Sequence, residues 1–237
     1  PMIGGNTVRA EGGINAAETP QQKKAGIPDT IDQFYADTMK GGHNLNDPAL
    51  VRTLTTHAKD AVAWLVSLGA DLNTVGRAGG AKYPRAHRPT DGSAIGPEVI
   101  RVLWKAAKDR KMDVRTQTRA TEIIMKDGRV AGVKATNKDG KVYTIDAKAV
   151  VLATGGFGAN QDMLVKYQPK LKGYATTNQP GATGDGIILA EHAGAALVDM
   201  KQIQAHPTAA PDGTLISESV RGDGGILINA EGKPFPN

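Results

Sequence analysis

The sequence predicts an α/β fold, and three observations predict it. The first half carries apolar residues at helical spacing: Leu50, Val51, Leu54, Ala58, Ala61, Val62 and Leu65, then Val99, Ile100, Leu103 and Ala107. From Ala120 the pattern changes to period two, broken by the turns Asp127-Gly128 and Asp139-Gly140, which reads as a β-meander. The unbroken apolar run in "AVVLATGG" follows, and a continuous apolar strand is one buried on both faces of a parallel sheet.

Taken in order, "PMIGGNTVRAEGGINAAET" places two glycine pairs, Gly4-Gly5 and Gly12-Gly13, among small residues. That composition suits a loop pressed against a ligand or another backbone, ahead of a helix start. Asp47-Pro48 reads as an N-cap with proline at the first helical position, and Gly69 ends that helix. "GRAGGAKYPRAHRPTDGSAIG" reads as a polar, glycine-rich loop, with Arg85, His87 and Arg88 as a charged cluster in it. Pro97 opens the second helix. After the meander, the apolar strand ends in Thr154-Gly155-Gly156, at the carboxyl end where ligands of α/β sheets bind. "TGDGIILAEHAG" is a turn feeding a helix that stops near Gly194. A glycine-bearing strand end of this kind suggests a nucleotide-binding domain, although no G-x-G-x-x-G occurs.

Composition narrows the function classes. The 237 residues carry a net charge of +5, with both signs interleaved along the chain. No basic block alternates with aromatics, so nucleic acid is a poor match, whereas a mild positive balance attracts small anions. The absence of cysteine excludes disulfides, thiolate catalysis and iron–sulfur ligation by this chain. The five histidines are scattered without close H-x-x-x-H spacing, so no metal site is expected. No apolar run approaches the ~20 residues that cross a bilayer. The chain starts with Pro1 and reads as an excerpt of a longer protein.

Seven segments, "IGGNT…GG.NAA.T", "NDPALV", "RAHRPT", "VVLATGGF", "TNQPGATGDG", "QAHPT" and "SESVRGDGGILIN", occur in an order that resembles one family. It is the flavoprotein family of fumarate reductases and succinate dehydrogenases, in particular the soluble flavocytochrome-c-type fumarate reductases and urocanate reductases. The resemblance covers essentially the whole chain. It implies an FAD-binding, Rossmann-like domain of the glutathione-reductase type over residues 1–199, lacking its N-terminal G-x-G-x-x-G unit. Residues 200–237 are then the truncated start of an α+β substrate cap domain. The implied reaction reduces the C=C bond of an α,β-unsaturated carboxylate, with hydride from flavin N5. Fumarate is the first substrate implied; urocanate or another enoate is the alternative, since "LISES" stands where the family has "MVTEA", and a non-catalytic flavin-binding module is a third reading. The electron donor, the catalytic arginine and the family's haem domain lie outside these residues, so the resemblance implies that they do not work alone. It also implies a bacterial periplasmic location and anaerobic respiration, with a cytoplasmic setting as the alternative.

The resemblance assigns roles by position. His206 and Ser217 hold a substrate carboxylate, and Glu218 and Arg221 relay the proton. Gly4, Gly5, Asn6, Thr7, Gly12, Gly13, Thr154, Gly155, Gly156, Gly184 and Asp185 line the FAD site. Each also has a plain structural reading. His206 before Pro207 suits a turn, Ser217 an N-cap, Glu218 and Arg221 a surface ion pair at i and i+3, the glycines ordinary turns, and Asp185 the N-cap of its helix.

Overall fold

The computed structural model describes residues 3–209, 214–216, 220 and 224–234. They divide into two compact units: one within Thr7–Met112 and Ile216–Asn237, the other within Pro1–Asn6 and Asp113–Leu215.

The first unit is built on helices. After a 3-10 turn at Thr7–Arg9 come the short strand β1 (Ile14–Asn15), α1 (Pro20–Lys24), α2 (Ile31–Gly41), α3 (Pro48–Ser67), β2 (Thr74–Gly76), β3 (Ala86–Arg88) and α4 (Ile95–Asp109). Helix α3 begins as expected: the Asp47 carboxylate accepts from the Ala49 and Leu50 N–H groups behind Pro48. Its inward seam is Val51, Thr55, Ala58, Val62 and Leu65, four and three residues apart, so one face is buried. That face meets Ala16, Ala17, Phe34, Leu72, Ile95 and Val102 in the core. The strands form an antiparallel sheet in the order β1-β3-β2, with Ile14 opposite His87 and Val75 opposite His87 on the other side.

"RAHRPT" is therefore no surface loop. Arg85 and His87 are 2% and 0% exposed. The charge is tolerated because partners distant in sequence meet it. Arg85 Nη2 donates to Asp29 Oδ1 at 2.9 Å and to Asp37 Oδ2 at 2.7 Å, and its guanidinium lies 4.7 Å from the centre of the Phe34 ring. His87 Nδ1 is 2.9 Å from the Arg85 carbonyl, and its Nε2 is 2.8 Å from the Thr19 hydroxyl. The carbonyls of Arg85 and Ile14 beside Nδ1 can only accept, so Nδ1 carries a proton, and in the neutral ring Nε2 accepts from the Thr19 hydroxyl. Burial pushes the His87 pKa down, against the carbonyls of Arg85 and Ile14 that favour the protonated ring. This cluster is a polar core.

The second unit holds the meander: β4 (Thr118–Lys126), β5 (Arg129–Asn137) and β6 (Val142–Asp146), antiparallel in sequence order. Both β4–β5 turn residues have positive φ, 51° at Asp127 and 73° at Gly128, as the expected tight turn requires. Helices α5 (Gln161–Tyr167) and α6 (Asp185–His192) follow.

The apolar strand expected at "AVVLATGG" is not formed. Residues 149–156 belong to no strand, and Val151 and Leu152 are 89% and 42% exposed. An apolar run becomes a strand only where a neighbour takes up its backbone N–H and C=O groups. Among the described residues no strand lies beside it.

Candidate active site

The glycine segments of the second unit converge. Backbone bonds join "GGFGA" to "PGATGDG": Gly184 N–H donates to the Gly156 carbonyl at 3.2 Å, and Ala159 N–H to the Ala182 carbonyl at 2.9 Å. Helix α6 then starts directly against Thr154. A Cβ on Gly186 would lie 1.9 Å from Thr154 Oγ1, so only glycine lets the helix approach this closely. Gly184 has φ 79° and caps α6, and a Cβ there would sit 2.5 Å from Met163 Sδ. Asp185 is the first helical residue and not the N-cap that its sequence context also allowed; its charge still falls at the favourable end of the helix. Its carboxylate accepts from Arg119 Nε at 2.6 Å and from the Thr183 hydroxyl at 2.8 Å. Those two bonds, the arginine's first, hold the carboxyl below the usual aspartate range despite partial burial.

Asn6 joins the same framework from the start of the chain. Its side chain donates to Asn178 Oδ1 at 2.5 Å and accepts from the Gln179 N–H at 2.7 Å. Asn178 in turn packs where a Cβ of Gly158 would sit, 2.3 Å from its Nδ2. Asn178 and Arg119 were not singled out from sequence. The segment "TNQPG" carried a signal for the first, since an asparagine between glycine-rich turns is a natural side-chain tie to backbone. Arg119 sits in a period-two strand and gave none.

Gly4 and Gly5 form a turn with φ of 122° and 51°. Thr7, Gly12 and Gly13 belong to the other unit. There the Thr7 carbonyl accepts from the Ala10 N–H, and a Cβ on Gly13 would lie 2.9 Å from the His87 carbonyl, so strand packing explains that glycine. His206 is half-buried, with Nδ1 3.0 Å from the Thr208 carbonyl and 3.3 Å from the Thr208 amide nitrogen, so the turn after Pro207 orients the ring. Ser217, Glu218 and Arg221 lie outside the described residues.

Gly12 and Gly156 need glycine for neither reason just given. Neither has left-handed backbone, and a Cβ on either would meet nothing within 4 Å. Gly155 adds a φ of 71° beside open space. At Gly155 and Gly156, backbone left bare on its open side beside the N-terminus of α6 fits the close approach of a nucleotide. Such a framework defines a nucleotide-binding α/β protein. The chain belongs to the FAD binding domain family, whose description matches residues 1–237, and FAD is its cofactor.

Relatives agree along the full length. The chain is 50% identical over 239 residues to a fumarate reductase (cytochrome) of Shewanella frigidimarina, covering 100% of this chain and 42% of that protein. It is 35% identical over 243 residues to a urocanate reductase of Eggerthella lenta, covering 99% of this chain and 40% of the relative. The open conformation of a flavocytochrome c3 fumarate reductase superposes with a TM-score of 0.90 at 43% identity, over 99% of this chain and 42% of that one. The chain thus spans well under half the length of these relatives. Among the described residues no helix is long and apolar enough to cross a membrane.

Closing the bare approach to Thr154 has a defined consequence. Gly186→Ala forces the start of α6 or Thr154 to move, at an expected cost of about 1–3 kcal/mol. Flavin fluorescence titration of the full-length protein is expected to show FAD affinity lowered at least severalfold, and partly regained when Thr154→Ala removes the hydroxyl and methyl, the remaining Cβ still lying 2.8 Å from the new one. Unchanged affinity in the single variant would dissociate this turn from the cofactor.

Proposed function

We propose that this chain is the flavin-binding part of an oxidoreductase that reduces the C=C bond of an α,β-unsaturated carboxylate, with fumarate the preferred substrate. The supporting observation is the 50% identity, over all of this chain, to a protein named fumarate reductase. Bound FAD supplies the hydride. The residues of this chain supply the rest. His206 donates a directional hydrogen bond to one substrate carboxylate, and the Ser217 hydroxyl donates a second. Glu218 and Arg221 move the proton toward the carbon opposite the hydride, a carboxylate beside a guanidinium staying charge-paired while it passes protons. The glycines at 4, 5, 12, 13, 155, 156 and 184, with Asn6, Thr7, Thr154 and Asp185, frame the cofactor. Residues 1–199 form the FAD-binding domain and 200–237 the start of the substrate cap. Electrons arrive from a donor outside these residues, in a bacterial periplasm.

A second reading keeps the chemistry and changes the substrate to urocanate or another enoate, favoured by Leu215 and by Ser217, whose hydroxyl lacks the threonine methyl and leaves a different pocket wall. The two are separated by anaerobic assay of the full-length protein with reduced viologen as donor. Fumarate is expected to give a kcat/KM at least tenfold above urocanate, and His206→Ala to raise KM for whichever acid is preferred. A reversed preference establishes the second reading. A protein that holds FAD and reduces neither acid is a flavin-binding module, and both readings fail.

A further inference from the structure

Gly96 is buried in the first turn of α4. Its backbone is not left-handed, so conformation does not ask for glycine there. Its neighbours do. A Cβ on Gly96 would lie 1.9 Å from the Thr7 carbonyl oxygen, 2.9 Å from the Ala10 nitrogen and 3.0 Å from the Ala10 oxygen. These are backbone atoms, so no side chain can swing aside to make room. The 3-10 turn at Thr7–Arg9 therefore lies backbone against backbone on the start of α4.

The two elements also share a hydrogen bond that α4 cannot replace from its own residues. An N-cap side chain accepts from the N–H of the second or third helical residue. The N-cap of α4 is Ala94, which has no acceptor in its side chain, and the third helical residue is Pro97, which has no N–H. The donor that is left, the Gly96 N–H, bonds to the Ala10 carbonyl at 2.8 Å. The residue after the 3-10 turn thus caps the helix.

Helix α4 is a firm seat for that turn. Ile95 and Val102 belong to the buried core, and Val99 and Leu103 pack against it. None of the residues of the turn is itself buried. At the far end of the same segment, Gly13 is seated on the His87 carbonyl of β3. Between the two seats Thr7, Arg9, Ala10 and Glu11 are exposed, and Gly12 stands beside open space. The stretch is a bridge of backbone, fixed from behind at both ends and open in front.

We infer that Gly96 is a positioning residue for FAD. It sets Thr7 and Gly12 at the cofactor through the backbone of residues 7–10, and it couples the first turn of α4 to cofactor occupancy. The inference rests on the reading that Thr7, Gly12 and Gly13 frame the FAD. Such coupling is reciprocal. Whatever displaces the turn weakens FAD binding, and bound FAD holds the turn and with it the cap of α4.

Three variants of the full-length protein test this: Gly96→Ala, Gly96→Ala/Ala94→Ser and Thr7→Val. Alanine is otherwise favoured over glycine inside a helix, so a loss in the first variant reports the clash. Gly96→Ala is expected to lower the thermal transition and to lower FAD affinity at least tenfold in a fluorescence titration. In the double variant the new hydroxyl takes over the N–H of residue 96. The thermal transition is then expected to recover, while FAD affinity stays low and the visible band of bound flavin stays shifted. Thr7→Val is expected to shift the same band. In the unaltered protein, adding FAD to the FAD-stripped form is expected to slow hydrogen exchange in the first turn of α4. This last measurement needs no variant, so it decides the matter even where Gly96→Ala fails to fold. The inference is overturned if FAD leaves that exchange unchanged, if Gly96→Ala binds FAD as tightly as the unaltered protein, or if the double variant regains both affinity and spectrum, as a merely structural role would have it. A Thr7→Val protein with unaltered affinity and flavin band would instead remove the turn from the FAD site, and the reading beneath the inference would fall with it.

Discussion

Arg85→Ala is expected to destabilise the protein by about 3–5 kcal/mol, the range for breaking a buried ion pair by removing one partner. The size follows from what stays behind. The Asp29 side chain is 0% exposed and would keep only Gln22 Nε2, at 3.1 Å. Asp37 would keep Gln33 and the Lys82 N–H, enough to remain ionised but no longer tied to the sheet. The Phe34 ring also loses the cation over its face. Against a total stability of about 5–15 kcal/mol, this is a large fraction. Urea denaturation followed by circular dichroism measures it. Arg85→Lys keeps the charge but loses the planar guanidinium whose Nη2 meets both carboxylates and whose face lies against Phe34, so it is expected to recover part of the loss and not all. Adding Asp29→Asn to Arg85→Ala is expected to recover more, because it removes the stranded charge. A loss below about 1 kcal/mol would mean that water reaches the pair, as for exposed ion pairs.

This same network explains where sequence reading succeeded and where it failed. Helix α3 was legible because every determinant is local: the Asp47 cap, Pro48, the seam of apolar residues and Gly69, whose φ of 91° ends the run. The meander was legible for the same reason, through Asp127-Gly128 and Asp139-Gly140. Strand β3 was not. Arg85 and His87 signal solvent to any local pattern, and the carboxylates that permit their burial lie 56 and 48 residues away. "AVVLATGG" failed in the opposite direction: its composition calls for burial, but pairing is a property of the neighbouring strand, which no local pattern contains. One overlooked signal was local. Thr19 and Gln22 form a capping box around Pro20, with the Thr19 side chain accepting from Gln22 N–H and Gln22 Oε1 from Thr19 N–H, and "TPQQ" spells it.

On the function proposed above, the largest effect on turnover is expected at Arg221. In the full-length enzyme Arg221→Ala should lower kcat about 10²–10⁴-fold, the contribution typical of positioned proton transfer, with KM for fumarate little changed. The split between the two constants carries the inference. A residue that only gripped substrate would raise KM at constant kcat, whereas one that acts in the proton-transfer step lowers kcat and kcat/KM together. Glu218→Gln is expected to fall in the same class, because the amide matches the carboxylate in shape but cannot take up a proton at physiological pH. Ser217→Ala should instead act mainly on KM. The two relay variants should also be non-additive: once the path is cut at Arg221, cutting it again at Glu218 costs little more, as for residues that act as one unit. Additive losses would assign them separate tasks. A kcat unchanged in Arg221→Ala, with only KM raised, would return Glu218 and Arg221 to the ion pair that their spacing alone suggests.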